Sequence, residues 1–347
     1  MASQANADLK PALMAAALAF CAWFFPLMAA KASDGPPFGG GWQSQHFQDH
    51  PLVGRIFDGK GIASTWDAML RATERMDVVL VGETHTNADH HAIQAAVAQA
   101  MATRHTNNLF ATVFEMVPQR LQPVLDRATS GELSGKALGK ALAWEKRGWG
   151  SFEPYAPIFA ATQAHGARLV AGNPDEDMTR ALSRGGLDAL DGTVANKTGL
   201  ALPVSNAVQA GLIKEMADSH CDMLPEQILP NMALVQRLRD GMMARVTKDA
   251  LMEGTDSSQA LIVTGNGHAR NDRGIPAVMK SLGTGLFTLS IGLIDVSQDD
   301  FNFADYRLTG DDGKPLYDFV VFTPRDNIGD PCEMMRQQMK ARSKPKP

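Results

Sequence analysis

Short apolar runs recur along the chain and alternate with stretches that have helical apolar spacing. Continuous aliphatic runs of this kind are typical of strands in a sheet that is covered on both faces. The predicted strands are residues 54–57, 78–81, 109–114, 168–171, 260–264, 286–291 and 317–322. Their alternation with helices predicts an α/β fold, in which a mainly parallel sheet is covered by helices on both faces.

The longest helical stretch, at about residues 203–252, is rich in Met, Ala and Leu. Methionine at helical spacing is typical of core packing. We expect this stretch to be a helical insertion over the carboxyl ends of the strands, within a single domain of residues 47–332. Residues 33–46 are rich in Gly and Pro and predict a flexible linker, whereas residues 333–347 form a basic tail.

An uncharged apolar run follows Lys10 and ends at the small residues around Lys31. Small residues at this point suit signal peptidase, so residues 1–32 predict a secretory signal peptide. An uncleaved anchor is the alternative, because the run is long enough to span a bilayer. Cys21 follows the bulky Phe20, which argues against a lipid anchor. We therefore expect an exported protein, periplasmic or associated with the cell envelope.

Two cysteines, Cys221 and Cys332, remain once such a leader is removed. Disulfides persist outside the cytoplasm, so we expect these two cysteines to pair, with two buried free thiols as the alternative. The formal net charge is -5, and basic residues cluster only in the tail. This charge distribution argues against a nucleic-acid partner.

Two Gly-x-x-His signatures, at residues 82–85 and 265–268, each follow a predicted strand. Parallel strands end at one edge of their sheet, and ligand crevices of open α/β sheets lie at the carboxyl ends of the strands. We therefore expect His85 and His268 to share one rim, together with Glu83 of the first signature.

Glu115 ends the strand at residues 109–114 and should join this rim. Such a set can bind a divalent transition metal, through His85, His268 and Glu83, or act as an acid and base pair without metal. In an enzyme, Glu83 and Glu115 would be the catalytic carboxylates. Glu115 can equally hydrogen-bond the N-terminus of a helix.

Other candidates surround the signatures. His90 and His91 diverge by about 100° on a helix, so at most one of them faces the rim, and we expect His90 because it shares a face with Gln94. Arg270 can bind a carboxylate or propionate, or form a surface ion pair. Tyr155 lies in an aromatic stretch typical of a core, although a tyrosine oxygen can ligate ferric iron.

Several segments in register carry a family resemblance. They are GETHTNADHHAIQ, VFEM at a strand end, WEKRGWGSFEPYAPI, AGNPDE, HCDMLP and TGNGHARNDRGIP. Together they resemble the ChaN-like family of haem-binding uptake proteins, which is grouped with the Tiki and TraB proteins by paired Gly-x-x-His motifs. The resemblance covers residues 54–331 and implies an α/β fold with a helical insertion, export from the cytoplasm and a link to haem or iron acquisition.

The resemblance also marks a set of residues as the site rim. They are Glu83, His85, His90, Glu115, His268 and Arg270, with Tyr155 as a further candidate. It implies an exported protein that binds haem at the rim, with a histidine or tyrosine on the iron.

The alternative function is a metal-dependent hydrolase, peptidase- or esterase-like, because relatives of this group are classed as metal-dependent peptidases. A third hypothesis is an envelope protein without a ligand. Haem or another small ligand is thus the expected partner, and the sequence leaves open whether the chain forms a homodimer.

Overall fold

The computed structural model describes residues 39–105, 110–253, 258–310, 312–330, 332–333 and 335–337. The predicted signal peptide and most of the basic tail lie outside these residues and stay predictions. The described residues belong to one compact unit that extends from Ala32. In this part of the chain, no helix combines the length and the apolar character that crossing a membrane requires.

An eight-stranded sheet runs through the described chain in the order β2-β1-β8-β7-β3-β6-β4-β5. The strands are β1 (Ile56–Asp58), β2 (Ala63–Ser64), β3 (Val78–Val81), β4 (Phe110–Pro118), β5 (Arg168–Asn173), β6 (Gln259–Val263), β7 (Thr288–Asp295) and β8 (Phe319–Thr323). β1 pairs antiparallel with β2 and β8, and the other pairings are parallel. The predicted α/β class is confirmed.

Helices fill most of the connections between the strands. They are α1 (Trp66–Thr73), α2 (Ala88–Thr103), α3 (Gln122–Thr129), α4 (Gly135–Ala141), α5 (Ala156–Gln163), α6 (Glu176–Gly185), α7 (Gly192–Lys197), α8 (Asn206–Ser219), α9 (Leu229–Met252), α10 (Asn266–Ala269) and α11 (Ile275–Ser281). Short 3-10 turns lie at Gln119–Leu121, Glu145–Arg147, Gly186–Ala189, Glu226–Ile228 and Phe303–Tyr306. The long helical stretch of the sequence thus becomes α8 and α9.

The sheet separates two apolar layers, because successive side chains of a strand point to opposite faces. Val79 and Val81 of β3 pack in the layer that contains residues of α2 and α5. Val78 and Leu80 pack in the layer that contains residues of α9 and α11. Met242 and Met243 of α9 are buried there, as predicted, whereas Met252 at the end of the same helix is 73% exposed.

Two boundaries differ from the sequence predictions. Ser44 lies in the predicted flexible linker but is buried, and its backbone N–H donates to Asp89 Oδ2 at 2.9 Å. Ordered structure therefore begins before residue 47, because a carboxylate of α2 holds this segment. The strand predicted at residues 109–114 is longer in the structure, since β4 continues past Glu115 and ends at Pro118.

Candidate functional site

The two Gly-x-x-His signatures lie side by side at one edge of the sheet. β3 and β6 are parallel neighbours, with Val81 beside Val263, so the segments that follow them leave the sheet together. The backbone N–H of Asn266 donates to the carbonyl of Glu83 at 3.0 Å and joins the two segments. Residues 82–85 and 265–268 therefore form one rim, as the topology of a parallel sheet requires.

Each signature begins with glycine because the other signature packs against that position. A Cβ atom at Gly82 would lie 2.4 Å from Asn266 Oδ1, and a Cβ atom at Gly265 would lie 3.0 Å from His85 Nε2. Real Cβ contacts are almost always longer than these distances. The glycine of each signature thus makes room for a side chain of the other.

Replacement of Gly82 by alanine should destabilise the protein by about 1 to 3 kcal/mol, the usual effect of overpacking. The new methyl group would overlap Asn266, whose side chain cannot swing away because it hydrogen-bonds both backbone groups of Leu293. Urea denaturation measures the effect. Gly192→Ala is the matched control, since a Cβ atom there meets nothing within 4 Å. Equal free energies of unfolding for the two variants would contradict the packing argument.

Glu83 is the central carboxylate of the rim and is 3% exposed. Its Oε1 accepts hydrogen bonds from His85 Nδ1 at 2.6 Å and from the Tyr155 hydroxyl at 3.0 Å. His91 Nε2 lies 3.1 Å from Oε2. Burial alone raises the pKa of Glu83, but His85 and His91 outweigh burial and lower that pKa to about 2. Glu83 is therefore an ionised acceptor at neutral pH.

His85 has one ring nitrogen held and one directed to the rim surface. Its side chain is 40% exposed, and its Nδ1 faces the Glu83 carboxylate. A carboxylate at Nδ1 selects the neutral tautomer with the proton on Nδ1, so Nε2 keeps its lone pair. Burial lowers the pKa of His85, but Glu83 and Glu115 together raise it above its ordinary value. His85 is thus an oriented imidazole whose Nε2 has a lone pair available for a ligand.

Tyr155 is buried and hydrogen-bonds Glu83. It is 1% exposed, and its hydroxyl also lies 3.1 Å from the carbonyl of His85. Burial raises the pKa of Tyr155, and the Glu83 carboxylate raises it further. The iron-binding role of Tyr155 stays a prediction, and in this structure its hydroxyl is directed at Glu83.

His91, and not His90, lies beside the rim carboxylate. His90 is fully buried, and its Nδ1 accepts from the Thr84 N–H at 2.8 Å while its Nε2 lies 2.8 Å from Thr323 Oγ1. Both nitrogens of His90 therefore have partners within the protein, and its expected role at the cofactor stays a prediction. The His91 ring packs on Tyr155, with centroids 3.8 Å apart.

His268 lies between two carboxylates. Its Nδ1 is 2.5 Å from Asp240 Oδ1, and its Nε2 is 3.2 Å from Glu115 Oε1. Burial lowers the pKa of His268, but Glu115 and Asp240 outweigh burial and raise that pKa to about 10. The role of His268 as a metal or haem ligand stays a prediction, and in this structure both of its ring nitrogens face carboxylates.

Glu115 and Asp240 complete this buried group from opposite sides. Glu115 Oε2 accepts hydrogen bonds from the Gly265 N–H and from Thr264 Oγ1, both at 2.7 Å. Glu115 thereby anchors the residues that lead into α10. The sequence analysis gave such a hydrogen bond at the N-terminus of a helix as the alternative role of Glu115. Burial raises the pKa of Asp240 to about 6 even though His268 attracts the carboxylate. The sequence analysis missed Asp240, although an acidic residue inside an apolar helix is an available signal.

The stability of the protein should fall as pH rises from about 6.5 towards 10. The folded-state pKa of His268 is raised to about 10, so its stabilising charge is fully present below its unfolded pKa of about 6.5 and is lost through this window. The slope approaches about 1.4 kcal/mol per pH unit for one proton. The raised pKa of Asp240, about 6, lies below the window and adds no slope there.

Urea denaturation at a series of pH values measures this slope. The double variant Asp240→Asn, His268→Gln keeps the side-chain shapes but removes both titrating groups, so we expect a flatter profile. A slope that is the same in the wild type and the double variant would assign the pH dependence to other residues.

Arg270 is engaged in an ion pair beside the rim. Its Nε and Nη2 donate to the two carboxylate oxygens of Asp272 at 2.8 and 2.6 Å. This bidentate geometry uses the face of the guanidinium that would bind a propionate. Arg270 also does not line the cavity described next. The ion-pair alternative is therefore the one that the structure shows.

A cavity of about 670 Å³ opens between the rim and a helical wall. His85, Glu115 and His268 are among the residues of the rim side. Residues of α6, α8 and α9 and the adjoining His220 form the helical wall. Ligand sites in proteins typically measure about 300 to 1,000 Å³, so this cavity can enclose a small molecule.

The rim does not have the geometry of a metal centre. Among the described residues, no three His, Cys, Asp or Glu side chains are arranged to hold a metal ion. His85 Nδ1 and both nitrogens of His268 are already paired with carboxylates. The expected divalent metal on His85, His268 and Glu83 is thus unsupported, and the hydrolase alternative is not favoured.

Comparison with solved structures identifies proteins of similar fold. ChaN of Campylobacter jejuni, in a structure described as showing cofacial haem binding, superposes with a TM-score of 0.60 at 20% identity, over 77% of this chain and 95% of that chain. The type III effector HopBA1 (TM-score 0.42, 12% identity, 74% and 92% coverage) and an erythromycin esterase EreC mutant (TM-score 0.41, 10% identity, 76% and 95% coverage) are more distant. At these identities the likeness concerns the fold.

Sequence comparison gives the family. No curated protein matches the chain. The family model described as haem-binding uptake, Tiki superfamily, ChaN matches residues 69–279, which include both Gly-x-x-His signatures, Glu115 and both long helices of the wall. The chain therefore belongs to the ChaN family of haem-binding uptake proteins in the Tiki superfamily.

Proposed function

We propose that this protein binds haem in the cavity between the rim and the helical wall, and that His85 Nε2 ligates the iron. The observation that carries the proposal is the hydrogen bond between His85 Nδ1 and the ionised, buried Glu83 at 2.6 Å. A carboxylate behind a ligating imidazole fixes the ring and raises its basicity. Bound haem would supply an iron centre that an imidazole nitrogen can ligate.

The rest of the cavity has the chemistry that a porphyrin needs. Met216, Met232 and Val235 give the helical wall apolar surface. Arg180 and Arg239 also line the cavity, and the buried Nε of Arg239 has no hydrogen-bond partner among the described residues. A guanidinium pairs well with a carboxylate such as a haem propionate. The residues present thus fit an apolar ring with an acidic edge.

Family membership and the disulfide support a role in haem or iron uptake outside the cytoplasm. The family is described as haem-binding uptake, and the related Campylobacter jejuni protein is described as binding haem. Cys221 and Cys332 form a disulfide, as predicted from the sequence, and disulfides persist in compartments outside the cytoplasm. We infer that the protein is exported and handles haem in the periplasm or at the cell envelope, in haem or iron uptake.

Titration of the full chain with haemin tests the binding proposal. We expect a saturable shift of the Soret band at one equivalent of haemin per chain, since one oriented imidazole is offered to the iron. Metal-free protoporphyrin IX is the matched control ligand, because it has the same ring and propionates but no iron, and it should bind more weakly. The absence of a saturable Soret shift at one equivalent would refute the proposal.

A further inference from the structure

We propose that the protein has a second binding site, for a small carboxylic acid with a short apolar chain. The site is a notch between α11 and residues 198–205, the loop that joins α7 to α8. The notch has a volume of about 210 Å³, and the first turns of α8 and Arg237 of α9 complete its lining. This inference does not depend on haem binding, because it concerns a different part of the molecule.

The notch is separate from the cavity at the rim. The two have no lining residue in common. Arg273 lines the notch and Glu215 lines the rim cavity, and the two side chains form an ion pair, with Arg273 Nη2 at 2.7 Å from Glu215 Oε2. This ion pair lies between the two spaces, so a ligand in the notch leaves the rim cavity unoccupied.

Apolar side chains give the notch a surface that an apolar chain can cover. Leu202 and Val204 of the loop are 37% and 36% exposed. Val208 and Leu212 of α8 and Val278 of α11 also line the notch. Its volume corresponds to about seven water molecules at roughly 30 Å³ each. Displacement of water from apolar surface by an apolar group is favourable, so the notch favours a short apolar chain.

The charged side chains of the notch leave one positive charge without a partner. Among the described residues, Arg273, Asp272 and Arg237 are the charged groups of the lining. Arg273 pairs with Glu215, and Asp272 pairs with Arg270. In the part of the chain that the structure describes, Arg237 forms no ion pair. A ligand with one negative charge would therefore neutralise the notch.

The protein uses only part of the Arg237 guanidinium. Its Nη2 donates to the carbonyls of Leu200 and Leu202 at 3.2 and 2.7 Å, which holds the side chain against the loop. Its Nε and Nη1 have no hydrogen-bond partner among the described residues. Burial lowers the pKa of Arg237, and Asp240, whose charge opposes this effect, is bonded to His268. A guanidinium with free N–H groups pairs well with a carboxylate.

The hydroxyl groups of the lining already bond the backbone. Thr198 and Ser281 donate to carbonyls of the preceding helical turn at 2.8 and 2.9 Å, and Ser205 accepts from a backbone N–H at 3.2 Å. These contacts leave the guanidinium as the main polar group that a ligand can meet. The lining thus matches a molecule with one acidic group and an apolar body better than a polyhydroxylated one.

Titration of the full chain with hexanoate, followed by saturation-transfer NMR of the ligand, tests the proposal. We expect saturable binding at one equivalent per chain, and binding at least about 10-fold weaker for 1-hexanol, which lacks the charge, and for acetate, which lacks the chain. Arg237→Gln should weaken hexanoate binding by about 10- to 100-fold, as loss of a charged hydrogen bond does, and should leave 1-hexanol binding unchanged. Arg245→Gln is the matched control, because this arginine of α9 pairs with Asp249 and does not line the notch.

A second variant fills the notch and keeps its charge. Ala277 lines the notch, so Ala277→Leu should abolish hexanoate binding, whereas Lys280→Leu adds the same side chain to α11 outside the notch and should not affect it. Equal affinities for hexanoate and 1-hexanol in the wild type, or unchanged hexanoate binding in Ala277→Leu, would overturn the proposal. Displacement of hexanoate by haemin would place the acid in the rim cavity and would overturn it as well.

Discussion

His85→Ala should abolish the specific Soret shift with haemin and weaken haem affinity by at least about 100-fold. Loss of a group behind a metal ligand typically costs 10- to 100-fold in affinity, and loss of the ligand itself should exceed this. The change should leave folding intact, because 40% of the His85 side chain is exposed and the Glu83 oxygen that it contacted keeps the Tyr155 hydroxyl as a donor. Haemin titration followed in the Soret region measures the affinity.

Glu83→Gln tests the supporting carboxylate separately from the proposed iron ligand His85. Glutamine keeps the shape of Glu83 but lacks the charge that orients His85 Nδ1, so affinity should fall by about 10- to 100-fold and the Soret shift should remain. His165→Ala should bind haemin like the wild type, because this histidine bonds Gln99 away from the cavity. Full haem affinity in His85→Ala would place the iron ligand elsewhere, whereas equal losses in both variants would indicate that the rim acts as one unit.

Removal of the disulfide by Cys221→Ser, Cys332→Ser should lower the free energy of unfolding by about 4 kcal/mol, because the unfolded chain loses a constraint on a long loop. The two cysteines are separated by 111 residues. The melting temperature should fall by roughly 10 °C for a domain of this size. Differential scanning calorimetry measures both quantities.

Reductant provides the matched control for this change. It should lower the melting temperature of the wild type to nearly the value of the double variant, and it should not affect the double variant. An unchanged melting temperature in the double variant would mean that residual structure already closes this loop in the unfolded chain.

The sheet and its rim could be predicted because strands leave a strong local signal. The apolar run of β3 ends at Gly82, and the run of β6 ends before Gly265, so both signatures could be placed at strand ends from the sequence alone. The topology of a parallel sheet then puts the strand ends together. This prediction did not require knowing in advance which side chains contact each other at the strand ends.

The roles of individual histidines could not be predicted, because they depend on contacts between distant segments. His90 hydrogen-bonds Thr323 of the last strand, and His268 hydrogen-bonds Asp240 of α9. The choice between His90 and His91 turned on which face of α2 meets the rim. Shared helical spacing with Gln94 does not settle this choice, since the Gln94 side chain donates to the carbonyl of Val81 in the core.

The reciprocal glycines also bear on how the protein is made. Gly82 lacks its packing partner Asn266, and His85 lacks the glycine surface beneath its ring, until β6 has been synthesised and has paired with β3. Synthesis proceeds from the N-terminus, and pairing of distant parallel strands is slow. A nascent chain that stops before β6 therefore carries every residue of the first signature but no site. The ribosome must release most of the chain before the protein can hold a ligand.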